Sequence, residues 1–346
     1  MPVNLPTFGY VALTESVNKI IKPNTFIKSR LFGREKEHGT KSIQIDIKIG
    51  NRKIAPFVKR GKEAVVVGKL GQNTSTVTPP SIRMKKDLDA EDLYFTRGAG
   101  LPIHVVGGGA DAVMQGRMKR IAEEQADMMD IAIRTSEFMC CRSLLGGYTI
   151  QDDEGGFSID FQMPTDHKPV LEGGAKWDQP DTAKPIENIR LWKLKVKQKT
   201  GKVPTEAYMT TDIWNLFVKC AEVKDYLDKR NIKVGEINTN DTILKMGAEK
   251  VARIENVDFF VYDELFDGPN GQETMLPSDK FFMAAPNIDS RFHYGAIEDL
   301  KSATVVGKYF SKDWITEDPS VYWLLVETHP LPVLHEPEGV VAATVK

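Results

Sequence analysis

The sequence has little cysteine and no long apolar run. Cys140, Cys141 and Cys220 are the three cysteines among 346 residues, and no CxxC pair occurs. We expect these thiols to serve as small buried apolar groups in a chain made in a reducing compartment. No stretch approaches 18 apolar residues, and Met1 to Tyr10 lack the charged-then-apolar pattern of a signal peptide. These absences argue against a disulfide framework and against a membrane-spanning helix.

Charge is nearly balanced over the whole chain but is unevenly placed along it. The net charge of −2 argues against a generally basic nucleic-acid binder. Lys41 to Leu70 hold eight basic and two acidic residues, a net of +6. Thr149 to Arg190 hold nine acidic and four basic residues, a net of −5. Either these are two separately solvated faces, or the basic segment of one copy meets the acidic segment of another.

An unbroken alternation opens the basic segment. Four isoleucines alternate with polar residues: Ile43, Ile45, Ile47 and Ile49. This is the period of a strand with one buried and one solvated face. Pro79-Pro80 stops any strand beyond the Gly- and Thr-rich stretch Gly68 to Thr78. The pattern predicts a hairpin with limbs of about 65–80 Å. A lone two-stranded ribbon is marginal in water, so we expect something outside this chain to cover it.

The strongest helix signal lies between residues 114 and 139. Residues spaced by four and three positions line one face of a helix about 28–30 residues long. They are Met114, Met118, Ile121, Gln125, Met128, Ala132, Thr135 and Met139. Asp111 is a candidate cap and Gly146-Gly147 a candidate end. We interpret the methionine stripe as core packing on a spine helix that carries a sheet.

The remaining segments predict short helices and strands. Predicted helices lie at Thr14 to Ile21, at Ile186 to Gln198 and from Thr210 through Leu227. Predicted strands lie at Glu206 to Met209, Phe259 to Tyr262, Phe281 to Met283, Val321 to Val326 and Val340 to Val345. Asp267 to Gly271 is a chain-reversal signal. The fold class is therefore α+β with mixed sheets, and no internal repeat occurs.

A glycine-rich loop supplies an alternative function. Gly107-Gly108-Gly109-Ala110-Asp111-Ala112 follows a strand-like segment and opens a helix, so it matches G-x-G-x-x-A. A dinucleotide site needs a second parallel strand within about 30 residues, and here the helix alone takes up that length. We therefore interpret the glycines as a hinge between an arm and the spine helix. A nucleotide-binding enzyme that uses Gly107 to Gly109 stays as the alternative.

The histidines do not form a chemical site in the sequence pattern. His329 and His335 lie on one face of a predicted strand but about 20 Å apart, too far to share a metal ion. His167 lies beside Asp166, but no serine lies in the G-x-S-x-G elbow of a hydrolase. We therefore predict no enzyme activity, no catalytic residues, no cofactor and no metal site.

Several short motifs occur in a recognisable order. Near the N-terminus these are Pro23-Asn24-Thr25-Phe26 and Leu31-Phe32, and in the middle Gly173-Gly174-Ala175-Lys176-Trp177. A helix then carries Trp214, Leu216, Val223, Leu227 and Asp228. The last motifs are Trp314-Ile315, Asp318-Pro319, Pro330-Leu331 and Glu336-Pro337-Glu338. In order and spacing they resemble the major head protein family of lambda-like tailed bacteriophages, the phage capsid E family. Pro332, His335 and Gly339 depart from that pattern in the final strand.

The resemblance implies the HK97-like capsid fold. Its parts would be an N-terminal arm at 1–40, an extended hairpin called the E-loop at 41–100, and a peripheral domain with the spine helix at 101–147. An axial domain at 148–300, return strands of the peripheral domain at 301–330 and a C-terminal strand at 331–346 would follow. The extended N-terminus, basic hairpin, long helix and mixed remainder predicted from the residues follow the same order.

The resemblance also implies a structural function. The chain would be a major capsid protein that assembles as hexamers and pentamers into an icosahedral head shell. The shell would enclose packaged double-stranded DNA without sequence-specific binding and without a membrane. A decoration protein, a scaffold and a portal would be candidate partners. The protein would lie in the virion capsid, and in the host cytoplasm during assembly.

The candidate contacts between subunits lie in the hairpin. They are Ile43, Ile45, Ile47, Ile49, Arg52, Lys53, Arg60 and Lys62. We expect a neighbouring subunit to cover the face that carries Ile45 and Ile47. On that interpretation, replacing both with Asp leaves a soluble subunit that forms no shells.

Overall fold

The computed structural model describes residues 10–19, 25–48, 72–89, 110–150, 156–230, 246–268, 271–300, 303–318 and 320–346. The helices are α1 (Tyr10–Lys19), α2 (Phe26–Leu31), α3 (Ala110–Ser143), α4 (Pro185–Thr200), α5 (Thr211–Lys219) and α6 (Ala221–Arg230). The first ten strands are β1 (Glu35–Glu37), β2 (Ile43–Lys48), β3 (Gln72–Val77), β4 (Ile82–Asp89), β5 (Gly147–Ile150), β6 (Phe157–Asp160), β7 (Glu206–Met209), β8 (Ala248–Ile254), β9 (Val257–Tyr262) and β10 (Leu265–Gly268). The others are β11 (Gly271–Thr274), β12 (Lys280–Ala284), β13 (Ser290–Tyr294), β14 (Ile297–Asp299), β15 (Ala303–Val305), β16 (Phe310–Thr316), β17 (Val321–Thr328), β18 (Pro330–Leu334) and β19 (Val340–Thr344).

The strands form one larger mixed sheet and several small ones. The five-stranded sheet has the order β19-β12-β7-β9-β8, in which β7 and β9 are parallel and the other neighbours antiparallel. Two three-stranded sheets have the orders β16-β17-β4 and β1-β13-β18. The pairs β2-β3, β5-β6, β10-β11 and β14-β15 form two-stranded antiparallel sheets. The α+β class with mixed sheets is confirmed.

The spine helix α3 is 34 residues long, or about 51 Å at 1.5 Å per residue. The predicted core stripe is confirmed along most of its length, because Ile121, Gln125 and Met128 are buried while Met118 is half exposed. The proposed cap is wrong, since Asp111 lies inside a helix that begins one residue earlier. At the other end, Gly146 adopts a φ of 84°, and a Cβ there would lie 2.6 Å from Met163 Cβ.

The spine helix joins two apolar cores. Its C-terminal half, with Met139 and Leu144, belongs to the large core that the five-stranded sheet forms with α4 and α5. Its N-terminal half, with Ile121 and Met128, packs in a second core with α1 and with Leu324 of the β16-β17-β4 sheet. The helix therefore spans both cores, as a spine would.

A buried carboxylate on the spine helix holds α2. Thr25, the residue before α2, makes no side-chain capping bond. Instead, the backbone N–H groups of Ile27 and Lys28 donate to the Glu137 carboxylate at 2.7 and 2.9 Å. Unpaired N–H groups and the positive end of the helix dipole both favour an anion at a helix N-terminus. Glu137 is 2% exposed, so this cap also fixes α2 against the spine.

The single helix predicted from Thr210 through Leu227 is two helices. Cys220 has a ψ of 136°, which is outside the helical region and ends α5. The next N–H, that of Ala221, donates to Pro180 O at 2.8 Å. A contact to a distant loop thus breaks the helix, and α6 restarts with Val223 buried in the large core.

The segment after Pro79-Pro80 joins the spine rather than the hairpin. β4, which lies in the predicted E-loop range, pairs with β17 over its whole length, from Ile82↔Thr328 to Asp89↔Val321. Lys86 of β4 bonds Glu124 of the spine helix at 2.5 Å. The strand therefore completes the sheet of the second core.

The antiparallel pairing at the hairpin root is as predicted, but the surface that covers its isoleucines is not. β2 and β3 pair antiparallel from Ile43↔Val77 to Lys48↔Gln72. Ile43, Ile45 and Ile47 are 1%, 1% and 5% exposed and belong to the large core. Their own chain covers them, so the expectation that a neighbouring subunit does so is corrected for these three residues. The other candidate contacts, Ile49, Arg52, Lys53, Arg60 and Lys62, lie outside the described residues.

This burial changes the expected effect of placing Asp at positions 45 and 47. Each substitution removes about 1.5–3 kcal/mol of apolar burial and places a carboxylate in the core. We expect the subunit itself to unfold, which circular dichroism of the unassembled protein would detect. Gln44→Asp, on the exposed face of the same strand, is the matched control and should fold normally. A folded, soluble Ile45→Asp/Ile47→Asp subunit would restore the neighbour-cover interpretation.

The Glu137 cap can be tested on the same protein. Glu137→Ala leaves the Ile27 and Lys28 N–H groups buried without their acceptor, at a cost of about 2–4 kcal/mol in the free energy of unfolding. Urea unfolding of the unassembled subunit measures this loss. Asp130→Ala, at an exposed position of the same helix, should change stability by less than about 0.5 kcal/mol. Equal effects of the two substitutions would show that the cap does not stabilise the subunit.

Candidate assembly surfaces

Polar contacts at Asp46 fix the root of the hairpin. Thr74 Oγ1 on β3 donates to Asp46 Oδ1 at 2.7 Å. His335 Nδ1, just beyond β18, donates to Asp46 O at 2.7 Å. Together with the buried isoleucines, these bonds fix β2 and β3 against the core.

His335 is one end of a chain of three histidines. His293 Nε2 lies 3.2 Å from His335 Nε2, and His38 Nε2 lies 2.8 Å from His293 Nδ1. Because the Asp46 carbonyl can only accept, neutral His335 carries its proton on Nδ1. His293 then donates from Nε2 to His335, and His38 donates from Nε2 to His293. The chain links the segment after β1, strand β13, the end of β18 and the hairpin root.

Burial and neighbouring positive charge keep His293 and His38 neutral. Burial, followed by the neighbours His335 and His38, lowers the pKa of His293 to about 3. Lys36 and Arg291 add smaller effects in the same direction. Burial and the charge of Lys36 also lower the pKa of His38. A proton on His293 would be a buried cation among cations, which the folded state disfavours.

Strand register, not sequence spacing, brings these histidines together. β1 pairs parallel with β13 and places Lys36 opposite His293, while β13 pairs with β18 and places His293 opposite Leu331. Sequence reasoning missed the cluster because residues 38, 293 and 335 have no local period. The one available signal was His335 itself, which interrupts an apolar strand pattern.

The outer face of the β16-β17-β4 sheet carries an aromatic pair. Trp314 and Trp323 are partners across β16 and β17 and stack with ring centroids 6.2 Å apart. Lys85 Nζ lies 4.6 Å from the Trp323 ring centroid, and Lys312 Nζ lies 6.0 Å from that of Trp314. Half-buried tryptophans with cations over their rings are typical of surfaces at which proteins meet.

A polar cleft of about 440 Å³ lies between α2 and the loop after β12. Arg30 bonds the Glu206 carboxylate in a fork, with Nε at 3.1 Å and Nη2 at 2.7 Å. The hydrogen bond to Glu206 is the largest cause of the raised pKa of Arg30. Tyr208 OH also donates to Glu206. Arg30 and Glu206 thus neutralise each other, and Glu206 is held as a structural carboxylate.

The other residues singled out by the sequence have structural surroundings. His167 is fully buried and its Nδ1 donates to Val340 O at 3.0 Å. His329 Nδ1 donates to Ala296 O at 2.9 Å, away from the chain that ends at His335. The three cysteines are free and buried, as expected of small apolar groups.

Among the described residues, no three His, Cys, Asp or Glu side chains are arranged to hold a metal ion. Within the same ranges, no helix has the length and apolar character needed to cross a membrane. Gly107 to Gly109, the loop of the nucleotide-binding alternative, lie outside the described residues.

The histidine chain makes a pH prediction. The folded-state pKa of His293 lies below its value of about 6.5 in the unfolded chain, so the unfolded chain binds the proton first as the pH falls. The free energy of unfolding is therefore at its full value above pH 6.5 and falls from there toward pH 3, by about 2 kcal/mol between pH 6.5 and pH 5. The unfolding midpoint of the wild-type subunit should therefore fall more steeply over this range than that of His293→Gln. Parallel pH profiles for the two proteins would show that His293 does not titrate in this way.

The chain as a whole matches known phage proteins. The model of the family described as phage major capsid protein E matches residues 9–345. No curated protein matches the sequence. A crystal structure of a candidate capsid protein of a prophage of E. coli CFT073 is similar over 99% of this chain and 100% of its own, with a TM-score of 0.73 and 16% identity. A phage-related protein from Bordetella bronchiseptica RB50 is similar over 98% of this chain and 97% of its own, with a TM-score of 0.55 and 13% identity.

At these identities the structural likenesses show the fold, and the family match shows the membership. The mixed helix-and-sheet fold is the HK97-like capsid fold that the motifs implied. The family is structural, so the nucleotide-binding alternative is not supported. Its match leaves out only the first eight residues and the last one, and the chain belongs to the phage major capsid protein E family.

Proposed function

We propose that this major capsid protein forms a closed icosahedral shell of hexamers and pentamers around packaged double-stranded DNA. The observation that carries the proposal is the family match over residues 9–345. The net charge of −2 also suits a container that encloses DNA without binding it tightly. The protein would act as a structural subunit and not as an enzyme. It would lie in the virion and assemble in the host cytoplasm.

The subunit's main partner in this proposal is another copy of itself. A decoration protein, a separate scaffold and a portal would bind the assembled or assembling shell, and no membrane would take part. In this proposal the chain divides into the six parts implied by the resemblance, at 1–40, 41–100, 101–147, 148–300, 301–330 and 331–346. Strand β4 would then belong with the spine helix rather than with the E-loop.

We also propose that the hairpin beyond its root contacts a neighbour. Ile49, Arg52, Lys53, Arg60 and Lys62 are the candidate residues, and the acidic segment Thr149 to Arg190 is the candidate partner. Support comes from the opposite net charges of +6 and −5. The buried root supports it further, because it fixes the point at which most of the basic segment begins. Contacts of this kind weaken as salt screens them.

Electron microscopy of the purified protein tests the proposed function. We expect closed shells in negative-stain images. In sedimentation, we expect most of the protein in one large species and a minor fraction as the unassembled subunit. A single small species under all conditions of salt and concentration would contradict shell assembly. The nucleotide-binding alternative predicts instead that NAD or ATP stabilises the subunit and so raises its unfolding midpoint. At a hundredfold excess over the dissociation constant, the free energy of unfolding would rise by about 2.7 kcal/mol.

A further inference from the structure

Helix α4 carries an apolar pair on its solvent side. Leu191 and Leu194 are each 50% exposed. Positions three apart on a helix are neighbours, so the two side chains form one small surface. The opposite side of the helix is well buried through Ile189, Trp192 and Val196. The exposed leucines are therefore not needed to hold the helix on the sheet.

Basic side chains lie on the C-terminal side of the leucine pair, whereas the exposed Glu187 lies one turn before it. Lys195 and the exposed Lys197 follow the pair on the helix, and none of the acids within α4 follows Glu187. We call Leu191, Leu194, Lys195 and Lys197 the leucine face. An apolar centre with a charged rim is the usual composition of a protein–protein contact. Its partner should present an apolar residue beside negative charge.

The hairpin β10-β11 has that composition. Residues 263–274 contain four acids and no Lys or Arg: Asp263, Glu264, Asp267 and Glu273. Leu265 is 48% exposed, and Asp267, two residues along the same strand face, is exposed as well. Between them, Phe266 packs against Phe138 of the spine helix at 4.7 Å. We call the face with Leu265 and Asp267 the acidic face.

The two faces lie at opposite ends of one strand. Arg190, next to the leucine pair, bonds Glu255 at 2.8 Å in the turn before β9. The acidic hairpin follows the other end of β9, a six-residue strand that spans about 17–20 Å. One subunit is therefore unable to bring its own two faces together, whereas two adjacent copies can do so.

We propose that the leucine face of one copy docks on the acidic face of the next copy in a ring. This inference rests on the proposed function, because it assigns surfaces to a contact within the hexamer or pentamer. The spacing fits: Leu265 and Asp267 are about 6.6 Å apart along a strand, and Leu194 and Lys197 are about 5–6 Å apart on a helix. Because the two faces differ, the contact is head-to-tail, and head-to-tail contacts that close make rings.

A charge exchange tests the pairing directly. Lys197→Glu and Asp267→Lys should each raise the protein concentration at which shells form by about threefold or more, because each places like charges in the contact. The double variant restores opposite charges across every contact in the ring and should return the threshold toward the wild-type value. Sedimentation and negative-stain images measure the threshold. A double variant no better than the single ones would overturn the pairing.

The apolar part has its own test. Leu191→Ser/Leu194→Ser should leave the unfolding midpoint of the unassembled subunit unchanged and raise the assembly threshold by about tenfold or more. Ile131→Ser, at an exposed apolar residue of the spine helix outside both faces and outside the acidic segment (45% exposed), is the matched control and should assemble like wild type. Normal shells from the leucine variant would overturn this contact alone. Absence of shells from the wild-type protein would overturn the proposed function and the contact together.

Discussion

The Glu137 carboxylate is the interaction on which the placement of the N-terminal segment depends. It lies in the buried face of the spine helix and accepts the first N–H groups of α2. Burial raises the pKa of Glu137, and the two N–H bonds and the charge of Lys28 partly offset that effect. A buried carboxylate is tolerated only where such partners exist. The site thus specifies one position for α2 against the spine.

From this point a continuous set of polar contacts leads to the hairpin. Lys28 bonds Tyr294 OH at 3.0 Å and Glu35 at 3.3 Å, and its Nζ lies 4.0 Å from the Phe292 ring centroid. Glu35 begins β1, which pairs with β13. The residue after β1 is His38, the first of the three linked histidines. Fully satisfied buried polar networks favour a single geometry. The position of the hairpin root is therefore coupled to the spine helix through side chains from five segments.

The described residues complete their own cores and leave small apolar surfaces exposed. The hairpin root is buried by its own chain, so assembly does not have to supply a core for it. In the described ranges, the remaining apolar exposure is scattered in pairs and single residues, such as the leucines of α4 and the tryptophans of the β16-β17-β4 sheet. Small contacts of this kind suit a shell whose subunits must first fold and then associate reversibly, since strength comes from many repeated contacts.

Sequence patterns determined the elements whose signal is local. The 3.6-residue period identified the spine helix, the two-residue period identified β2, and the Asp267 to Gly271 signal identified the β10-β11 reversal. Ordered motifs along the chain identified the family, and with it the fold. The hairpin beyond its root was characterised only by its charge.

Tertiary structure decided which surfaces these elements bury. A strand pattern shows that Ile43 to Ile47 have a buried face, but only long-range packing shows that their own chain covers it. The break at Cys220 follows from a bond to Pro180 O, and the histidine chain follows from the parallel pairing of β1 with β13. These features join residues tens to hundreds of positions apart, and local periodicity carries no information about such pairs. The sequence by itself determined the family and the order of the elements, whereas the fold alone decided the contacts that hold them in place.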